Sequence, residues 1–421
     1  MYANDPQQVK RFVAKIGEIL FNQAPWTVNP ELSGMDLCDS GPTADNPQRM
    51  KRVVARVLAA LGLGIIPLNA AITLAPDGYH VFPGDVIQEA LQQAATNKTQ
   101  KVVKVHAGEY RPDSRRQAMI WFNKAHNGIR LEALGPVTLT ASNSQLATPS
   151  HPGYPAVVNH VVYFGDAISS NTVLKGFRIT GANNFVTKEG TTQFEPARIP
   201  KNHFFYSDGG AIKVFGRSYP TIQDIEIADN FSSPCGAGIS VQHQGFKQGW
   251  VRIENCVFRN NRAQGTGSAI DLLAGSTAQI INCLFVGNVS NLGEDPVAKE
   301  SGEKPFVNNG ALTIFWGSSA LVRHCTFTGN RNGVDDLGGE SSYLNCILVD
   351  NQLEGGLKGF PRYELDVNAG AKVLGCFIKG TIHNARGDVS ATNNVLNPPP
   401  PRFNQEFVPQ APEYGKAGYR P

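Results

Sequence analysis

Charged side chains recur at one position of a repeated apolar segment. Lys213, Asp271 and Asp335 each follow an apolar residue in a short run rich in Ile, Val and Leu. In a β-strand alternate side chains point to opposite faces, so apolar neighbours that point inward leave these charged residues pointing outward. The equivalent positions of the other segments hold Ser240, Thr313 and Asp366.

Two outward carboxylates suit the hydrolysis of a glycosidic bond. If the segments are stacked strands about 4.8 Å apart, Asp271 and Asp335 lie two strands apart, or roughly 9–10 Å between backbones. That separation fits the wider carboxylate pair of an inverting glycosidase, in which one carboxyl protonates the leaving oxygen and the other activates water. The alternative is that both acids are simply solvated surface groups.

Basic residues in the same region suit a lyase instead. Such an enzyme neutralises a uronate carboxylate and removes the neighbouring proton, and Lys213, Arg217 and His243 lie on neighbouring segments where they could do so. Tyr206 lies on the preceding loop. Cations there also suit an acidic polysaccharide. The alternative is that they are ordinary surface cations.

Aromatic and amide side chains close to these positions could bind sugar rings. Phe215, Gln242 and Phe315 stand two residues after members of the outward set, and Trp316 follows directly. Together with Tyr206 they form the predicted substrate-binding group. The alternative is that the longer loops cover these aromatic side chains.

The elements that would carry these residues come from an internal repeat. Ile-Glu-Asn-Cys-Val-Phe-Arg-Asn-Asn at 253–261 returns in similar form at 280–288, 322–330 and 343–351. Each unit holds three apolar segments too short for helices and rich in strand-forming residues. Three strands per coil, each stacked on its counterpart in the next coil, predict a parallel β-helix of about nine coils. The alternative is an antiparallel sandwich.

One column of the repeat predicts a sharp turn in every coil. Its members are residue types that tolerate a left-handed backbone: Gly135, Gly176, Asp224, Asn255, Asn282, His324, Asn345, Gly375 and Asn393. The next residue and the one two further on are expected to point inward, as in Cys256 and Phe258. Five of the seven cysteines share this inward column, and we expect free thiols.

The chain resembles the right-handed parallel β-helix proteins of the pectate-lyase-like superfamily. The likeness covers about 76–400 and includes their usual opening, a Pro-Asp-Gly turn, a short capping helix from Asp85 to Ala95 with Asp85 as N-cap, and the strand 102–110. The superfamily holds lyases, hydrolases, esterases, epimerases and non-enzymatic adhesins, so the resemblance implies fold more than function. It also implies a polysaccharide cleft on the first strand of each coil.

The adjacent Asp335 and Asp336 resemble the paired acids of polygalacturonase-type hydrolases. Two other motifs of those enzymes, Gly-His-Gly and Arg-Ile-Lys, are missing from the chain. Together, the basic and acidic candidates form the predicted catalytic set: Lys213, Arg217, His243, Asp271, Asp335 and Asp336.

The chain divides into three parts by pattern. Residues 1–75 are expected to form a helical extension, 76–397 the β-helix and 398–421 an extended Pro-rich tail. Insertions at 183–207 and 289–308 precede the first strand of their coils and should rim the same face. Residues 50–71 are similar to a signal peptide, which would make the protein secreted or periplasmic if translation starts at Met50 and cytoplasmic otherwise.

Composition limits the partners. A net charge of +3 does not favour nucleic acid, and no long apolar run suggests a membrane span. There is no metal-type Cys/His cluster and no implied cofactor, although Asp208, Glu294 and Asp295 could bind Ca²⁺. The sequence leaves the oligomeric state open.

The sequence predicts a protein that acts on an acidic polysaccharide by lyase or glycoside-hydrolase chemistry. The alternatives are a non-catalytic carbohydrate-binding or adhesion protein and a structural assembly protein.

Overall fold

A computed structural model describes residues 72–184, 208–293, 309–383 and 393–421, apart from 234, 274, 357 and 369. The predicted helical extension, the signal-like segment, most of both insertions and Tyr206 lie outside the described residues.

Within the described residues nearly all regular structure is short β-strand. In the first half the strands are β1 (Thr73–Ala75), β2 (Gly78–Val81), β3 (Val102–Tyr110), β4 (Arg116–Phe122), β5 (Arg130–Thr140), β6 (Val158–Phe164), β7 (Val173–Thr180), β8 (Asn183–Asn184), β9 (Ile212–Phe215), β10 (Thr221–Gln223), β11 (Glu226–Ala228), β12 (Phe231–Ser232), β13 (Ile239–Gln242), β14 (Val251–Glu254) and β15 (Val257–Arg259). In the second half they are β16 (Arg262–Ala263), β17 (Ile270–Leu272), β18 (Thr277–Ile281), β19 (Leu284–Val286), β20 (Leu312–Ile314), β21 (Ser319–Arg323), β22 (Thr326–Thr328), β23 (Val334–Asp336), β24 (Ser342–Leu344), β25 (Ile347–Val349), β26 (Leu365–Val367), β27 (Lys372–Leu374), β28 (Phe377–Lys379), β29 (Ile382–His383) and β30 (Val395–Leu396). The α-helix is α1 (Ile87–Thr96), and 3₁₀ turns lie at Lys124–His126 and Pro412–Tyr414.

The strands stack in parallel columns. Column 1 is a nine-stranded sheet of β4, β6, β9, β13, β17, β20, β23, β26 and β29. Column 2 contains β10, β14, β18, β21, β24 and β27, and column 3 contains β11, β15, β19, β22, β25, β28 and β30. The longer β3, β5 and β7 serve both of these columns, because β7 pairs with β10 and also with β11. Among the named strands only β1 and β2 pair antiparallel, so the predicted parallel β-helix is confirmed and the sandwich is excluded.

A left-handed turn between columns 2 and 3 recurs in each coil. All nine members of the predicted turn column have positive φ, for example 82° at Gly135, 54° at Asn255 and 52° at His324. A second such column, five residues further along each coil, includes Asp229, Asn260 and Gly287 and was not predicted. Since these turns fix where the chain changes direction, they keep successive coils in register.

The interior repeats from coil to coil. The rings of Phe258, Phe285 and Phe327 stack face to face, with centroids 4.9 and 4.2 Å apart. Buried cysteines stand beside them, and the six cysteines among the described residues are free, as predicted. The thiol of Cys256 lies 3.7 Å from the carbonyl of Ile222 in the coil before.

A ladder of buried asparagines lines the turn after column 3. Its members are Asn230, Asn261, Asn288, Asn330 and Asn351. Asn288 Nδ2 donates to Asn330 Oδ1 at 2.8 Å and to the Phe258 carbonyl at 3.0 Å, and its own Oδ1 accepts from Asn261. The ladder ends where Glu364 accepts from the side-chain and backbone nitrogens of Asn351. Buried amides that all find partners bind each coil to the next.

Helix α1 covers the start of the core, at the position predicted for a capping helix. Leu91 and Ala94 are buried, and Gln88 both donates to and accepts from the backbone of Trp121. The prediction that Asp85 is the N-cap was wrong. Val86 occupies that position, while Asp85 accepts from the Phe82 backbone at 2.9 Å and so closes the preceding turn.

The C-terminal residues lie along the outside of the coils. Tyr414 packs on Ile347 and Val349 of column 3. Arg420 donates from its backbone nitrogen to Asn282 Oδ1 at 2.8 Å and accepts from Asn282 Nδ2 at 2.6 Å. The tail therefore closes over part of the left-handed turn column.

Replacing Asn288 with Ala should destabilise the β-helix. The change leaves several buried donors and acceptors of the ladder unpaired, at about 1–3 kcal/mol for each unsatisfied group. Urea denaturation of N288A should show the loss, whereas the exposed helix change Gln92→Ala should stay within about 0.5 kcal/mol of wild type. Equal stabilities for N288A and wild type would mean that the ladder contributes nothing.

Candidate functional site

The predicted outward residues form one continuous row on column 1. Each residue of this row pairs in register with the next one on the neighbouring strand. The order is Tyr163, Lys213, Ser240, Asp271, Thr313, Asp335, Asp366 and His383. We call this set, from Lys213 to His383, the outer row. Asp271 and Asp335 stand two strands apart in it, as expected from the sequence.

The outer row is more enclosed than the sequence suggested. Lys213, Ser240, Asp271, Thr313 and Asp335 are all buried. The sequence predicted that these side chains point outward into a cleft, so the structure differs from that expectation over most of the row. Such buried charges need partners, and these partners define what each residue can do.

Lys213 is held in a buried ion pair. Its ammonium donates to Asp208, to Ser240 Oγ at 3.1 Å and to Gln242 Oε1 at 3.2 Å. Burial lowers the pKa of Lys213 and raises that of Asp208, because desolvation disfavours both charges, and each partner opposes the other's shift. Lys213 is therefore committed to Asp208 and is not displayed to a substrate. Asp208, one of the possible Ca²⁺ ligands in the sequence, makes this ion pair, and Glu294 and Asp295 lie outside the described residues.

Asp271 is buried on the strand next to Ser240. Its Oδ2 accepts from Thr266 Oγ1 at 3.2 Å, while Oδ1 is buried with no hydrogen-bond partner. Desolvation, reinforced by the charge of Asp208, raises the pKa of Asp271 well above its usual range. A raised pKa favours the protonated carboxyl, which is the form that a general acid requires.

Asp335 is surrounded by hydrogen-bond donors. Its Oδ2 accepts from the Asn309 backbone at 2.7 Å and from the Tyr363 hydroxyl at 2.7 Å. The environments of Asp271 and Asp335 therefore differ. Asp271 has one carboxyl oxygen without a hydrogen-bond partner, whereas Oδ2 of Asp335 accepts two hydrogen bonds. Thr313 separates them, and its Oγ1 accepts from the backbone nitrogens of Gly267 and Gly310.

Asp336 does not share a site with Asp335. It pairs with Ile314 and Val367 in the row of column 1 that alternates with the outer row. Its carboxylate accepts from the Tyr343 hydroxyl and from the Gly338 backbone, both at 2.8 Å. The expected pair of adjacent acids is thus split across two faces of the sheet, and Asp336 supports the following turn.

Arg217 and His243 also lie outside the outer row. Arg217 is exposed at the turn after β9 and donates from Nε to Asp166 at 3.0 Å. His243 is buried with Nε2 at 2.9 Å from the Ser218 carbonyl, and desolvation lowers its pKa to about 4. The structure therefore does not bring Lys213, Arg217 and His243 together as a lyase group.

The predicted sugar-binding residues are placed unequally. Phe215 and Gln242 pair in register on neighbouring strands and are partly exposed, whereas Phe315 is buried. Trp316 is 65% exposed and follows β20, which carries Thr313. Trp316 therefore stands beside the strand that lies between Asp271 and Asp335.

Two further exposed aromatics, missed from the sequence, lie on the turn after β13. Phe246 and Trp250 are 42% and 38% exposed, and the Arg217 guanidinium lies 5.7 Å from the Phe246 ring centre. Large exposed aromatic side chains at one edge of a rigid sheet are suited to stacking on sugar rings.

The outer row reaches solvent at its C-terminal end, a part of the row to which the sequence analysis assigned no function. Asp366 was placed in the row but given no role, and His383 was not considered. His383 Nδ1 lies 2.9 Å from Asp366 Oδ2, and the His383 side chain is 36% exposed. Following the apolar–polar alternation one strand further, to Ile382 and His383, would have found this residue.

Within the part of the chain that the structure describes, no group of three or more His, Cys, Asp and Glu side chains is arranged to hold a metal ion. Over the same residues no helix is long and apolar enough to cross a membrane.

Comparisons with known proteins agree with the fold. Residues 162–294 match the family model described as a right handed beta helix region. The described residues form a right-handed parallel β-helix, which confirms the fold that the sequence predicts. No curated protein matches the chain.

Two solved structures are similar to the chain at low sequence identity and low TM-score. An alginate lyase of the PL6 family, AlyGC, is 14% identical over 81% of this chain and 56% of its own, with a TM-score of 0.28. This chain therefore spans a little over half the length of that lyase. The catalytic domain of a GH87 alpha-1,3-glucanase, in complex with tetrasaccharides, is 12% identical over 78% of this chain and 70% of its own, with a TM-score of 0.23.

Replacing Asp271 with Asn should change how stability depends on pH. A carboxyl whose pKa is raised by folding holds its proton while the unfolded chain loses it, so wild type should lose about 1.4 kcal/mol per pH unit above about pH 4, until Asp271 ionises in the folded state. D271N cannot ionise and should escape this loss.

Urea denaturation of wild type and D271N at pH 4 and pH 7 measures the effect. The stability gained by D271N should be larger at pH 7, and the exposed change Glu413→Gln should show no such dependence. A gain of equal size at both pH values would contradict the raised pKa of Asp271.

Proposed function

We propose that the protein acts on a polysaccharide at the outer row, by lyase or glycoside-hydrolase chemistry. The observation that carries this proposal is the in-register row itself, which lines up Asp271, Asp335, Asp366 and His383 on one rigid wall. A polymer that repeats along its length suits a wall that repeats along the β-helix axis.

Hydrolysis is favoured over elimination along the middle of this wall. Asp271 and Asp335 are two strands apart, roughly 9–10 Å between backbones, which is compatible with an inverting pair. Asp271, whose pKa is raised by burial, is the candidate acid, and Asp335 is the candidate base. The cations that would serve a lyase, Lys213 and Arg217, are each paired with an aspartate, which also weakens the sequence-based expectation of an acidic polymer.

A second candidate is carbohydrate binding without catalysis. It is favoured by the burial of Lys213, Asp271 and Asp335, whereas Trp316, Phe246 and Trp250 are exposed on turns that follow column 1 strands. In this case the acids stabilise the wall and the aromatic residues hold the sugar.

A screen of the purified protein against neutral and uronate-containing glycans separates these functions. Reducing ends alone indicate a hydrolase, unsaturated-product absorbance indicates a lyase, and binding without cleavage indicates the second candidate. If the protein is a hydrolase, D335N should lower cleavage by about 10²-fold or more while binding persists. D335N with wild-type cleavage would exclude Asp335 as the base, and absence of both cleavage and binding would refute the proposed function.

Trp316→Ala should weaken binding under either candidate function. Losing one stacked aromatic contact of about 1–2 kcal/mol raises Kd by roughly 5- to 30-fold. Isothermal titration with the bound glycan measures the change, and Leu353→Ala, which truncates an exposed apolar side chain after column 3, is the matched control. Equal weakening by both variants would show that Trp316 is not a specific contact.

A further inference from the structure

The exposed end of the outer row carries a histidine–aspartate dyad. His383 and Asp366 are neighbours in register on β29 and β26, and their side chains meet at 2.9 Å through Nδ1 and Oδ2. Asp366 is 14% exposed and His383 is 36% exposed, so the carboxylate is sheltered and the imidazole reaches solvent.

The hydrogen bond fixes which imidazole nitrogen can accept a proton. An aspartate carboxylate accepts hydrogen bonds, so in the neutral imidazole of His383 Nδ1 carries the proton and Nε2 keeps its lone pair. Nε2 makes no hydrogen bond to any described residue. The free nitrogen is therefore both accessible and in the state that a general base requires.

Tyr363 holds the imidazole in its orientation. The two rings stack with centroids 5.7 Å apart and planes 15° apart. Tyr363 is itself anchored, because its hydroxyl donates to Asp335 at 2.7 Å and its backbone nitrogen donates to Asn332 Oδ1 at 3.1 Å. Asp366 and Tyr363 are thus positioning residues for His383.

The dyad suits ester hydrolysis better than glycoside cleavage. Glycosidases use two carboxyl groups, one of which protonates the leaving oxygen at the outset. A single oriented imidazole instead takes a proton from water and later returns it to a leaving alcohol, as histidine does in acyl transfer. No second acid is needed, because the same proton serves both steps.

We propose that His383 is the catalytic base of a carboxylic-ester hydrolase acting on acyl groups carried by a carbohydrate. His383 Nε2 takes a proton from water as the water oxygen bonds to the ester carbonyl carbon. The tetrahedral adduct then collapses, the bond from the carbonyl carbon to the alkoxy oxygen breaks, and the imidazolium returns the proton to that oxygen. The products are a carboxylic acid and a sugar hydroxyl. Only the carbohydrate part of this inference rests on the proposed function.

Activity on two substrates tests the proposal. Full-length wild type should hydrolyse p-nitrophenyl acetate and release acetate from an O-acetylated xylan, and His383→Gln should lower both rates by about 10²-fold. Asp366→Asn should cause a smaller loss. His324→Asn is the matched control, since it removes a different imidazole and places asparagine where neighbouring coils already have it, at Asn282 and Asn345.

Histidine nitrogen NMR gives a readout that does not depend on activity. With ¹⁵N-labelled histidine, the signals that are absent from H383Q identify His383 in wild type. They should report a protonated Nδ1 and an unprotonated Nε2. In D366N the balance should shift towards protonated Nε2. Thermal unfolding midpoints close to wild type show that both variants are folded.

The outcomes separate the two proposals. Wild-type ester hydrolysis by H383Q, no ester hydrolysis by wild type, or protonated Nε2 in wild-type His383 would each overturn the ester-hydrolase role. Acetate release from the xylan without cleavage of the glycan chain would support that role and refute lyase or glycoside-hydrolase action at the outer row. Hydrolysis of p-nitrophenyl acetate alone would support the dyad and overturn the carbohydrate part.

Discussion

Register between coils is the constraint on which the rest of the structure depends. Two kinds of asparagine impose it. Those in the turn between columns 2 and 3, such as Asn255, take a left-handed backbone conformation, and those in the buried ladder, such as Asn288, hydrogen-bond to the coils before and after. Because both repeat once per coil, a residue at one position of a strand stands directly over its counterpart. The outer row is a product of this stacking.

Stacking identical positions also brings like charges close together, at about 4.8 Å per strand. The outer row avoids a run of carboxylates along most of its length. Lys213 pairs with Asp208, and Ser240 and Thr313 stand on either side of Asp271. Burial raises the pKa of Asp271. Acids become adjacent only at Asp335 and Asp366, where Tyr363 and His383 provide donors. The chemistry of each residue thus follows from its neighbours above and below.

The architecture could be predicted from the sequence because its signals are local and repeated. Turn residues, inward cysteines and phenylalanines recur at fixed offsets, and errors at one copy are corrected by the others. Membership of the outer row followed from the same alternation. The sequence also predicted helix α1, but it placed Asp85 at the N-cap, whereas Asp85 accepts a hydrogen bond from the Phe82 backbone in the preceding turn.

The state of the candidate site could not be predicted in the same way. Burial of Lys213 depends on Asp208, which precedes its strand, and the environment of Asp335 depends on Asn309 and Tyr363 from different coils. These contacts do not repeat, so no periodic pattern reports them. Asp336 was grouped with Asp335 because the two are adjacent in sequence, whereas alternation places them on opposite faces. His383 was missed because the row was followed only as far as Asp366.

The contact between Arg420 and Asn282 has a consequence for how the chain reaches its final form. The two residues are 138 positions apart, whereas each coil contacts mainly the next. Coils can therefore be added one after another as a nascent chain emerges, each templated by the coil before it. The tail can only close over them afterwards, because it bridges back across several finished coils. The tail therefore packs onto coils that have already formed and is not part of the coil-by-coil folding.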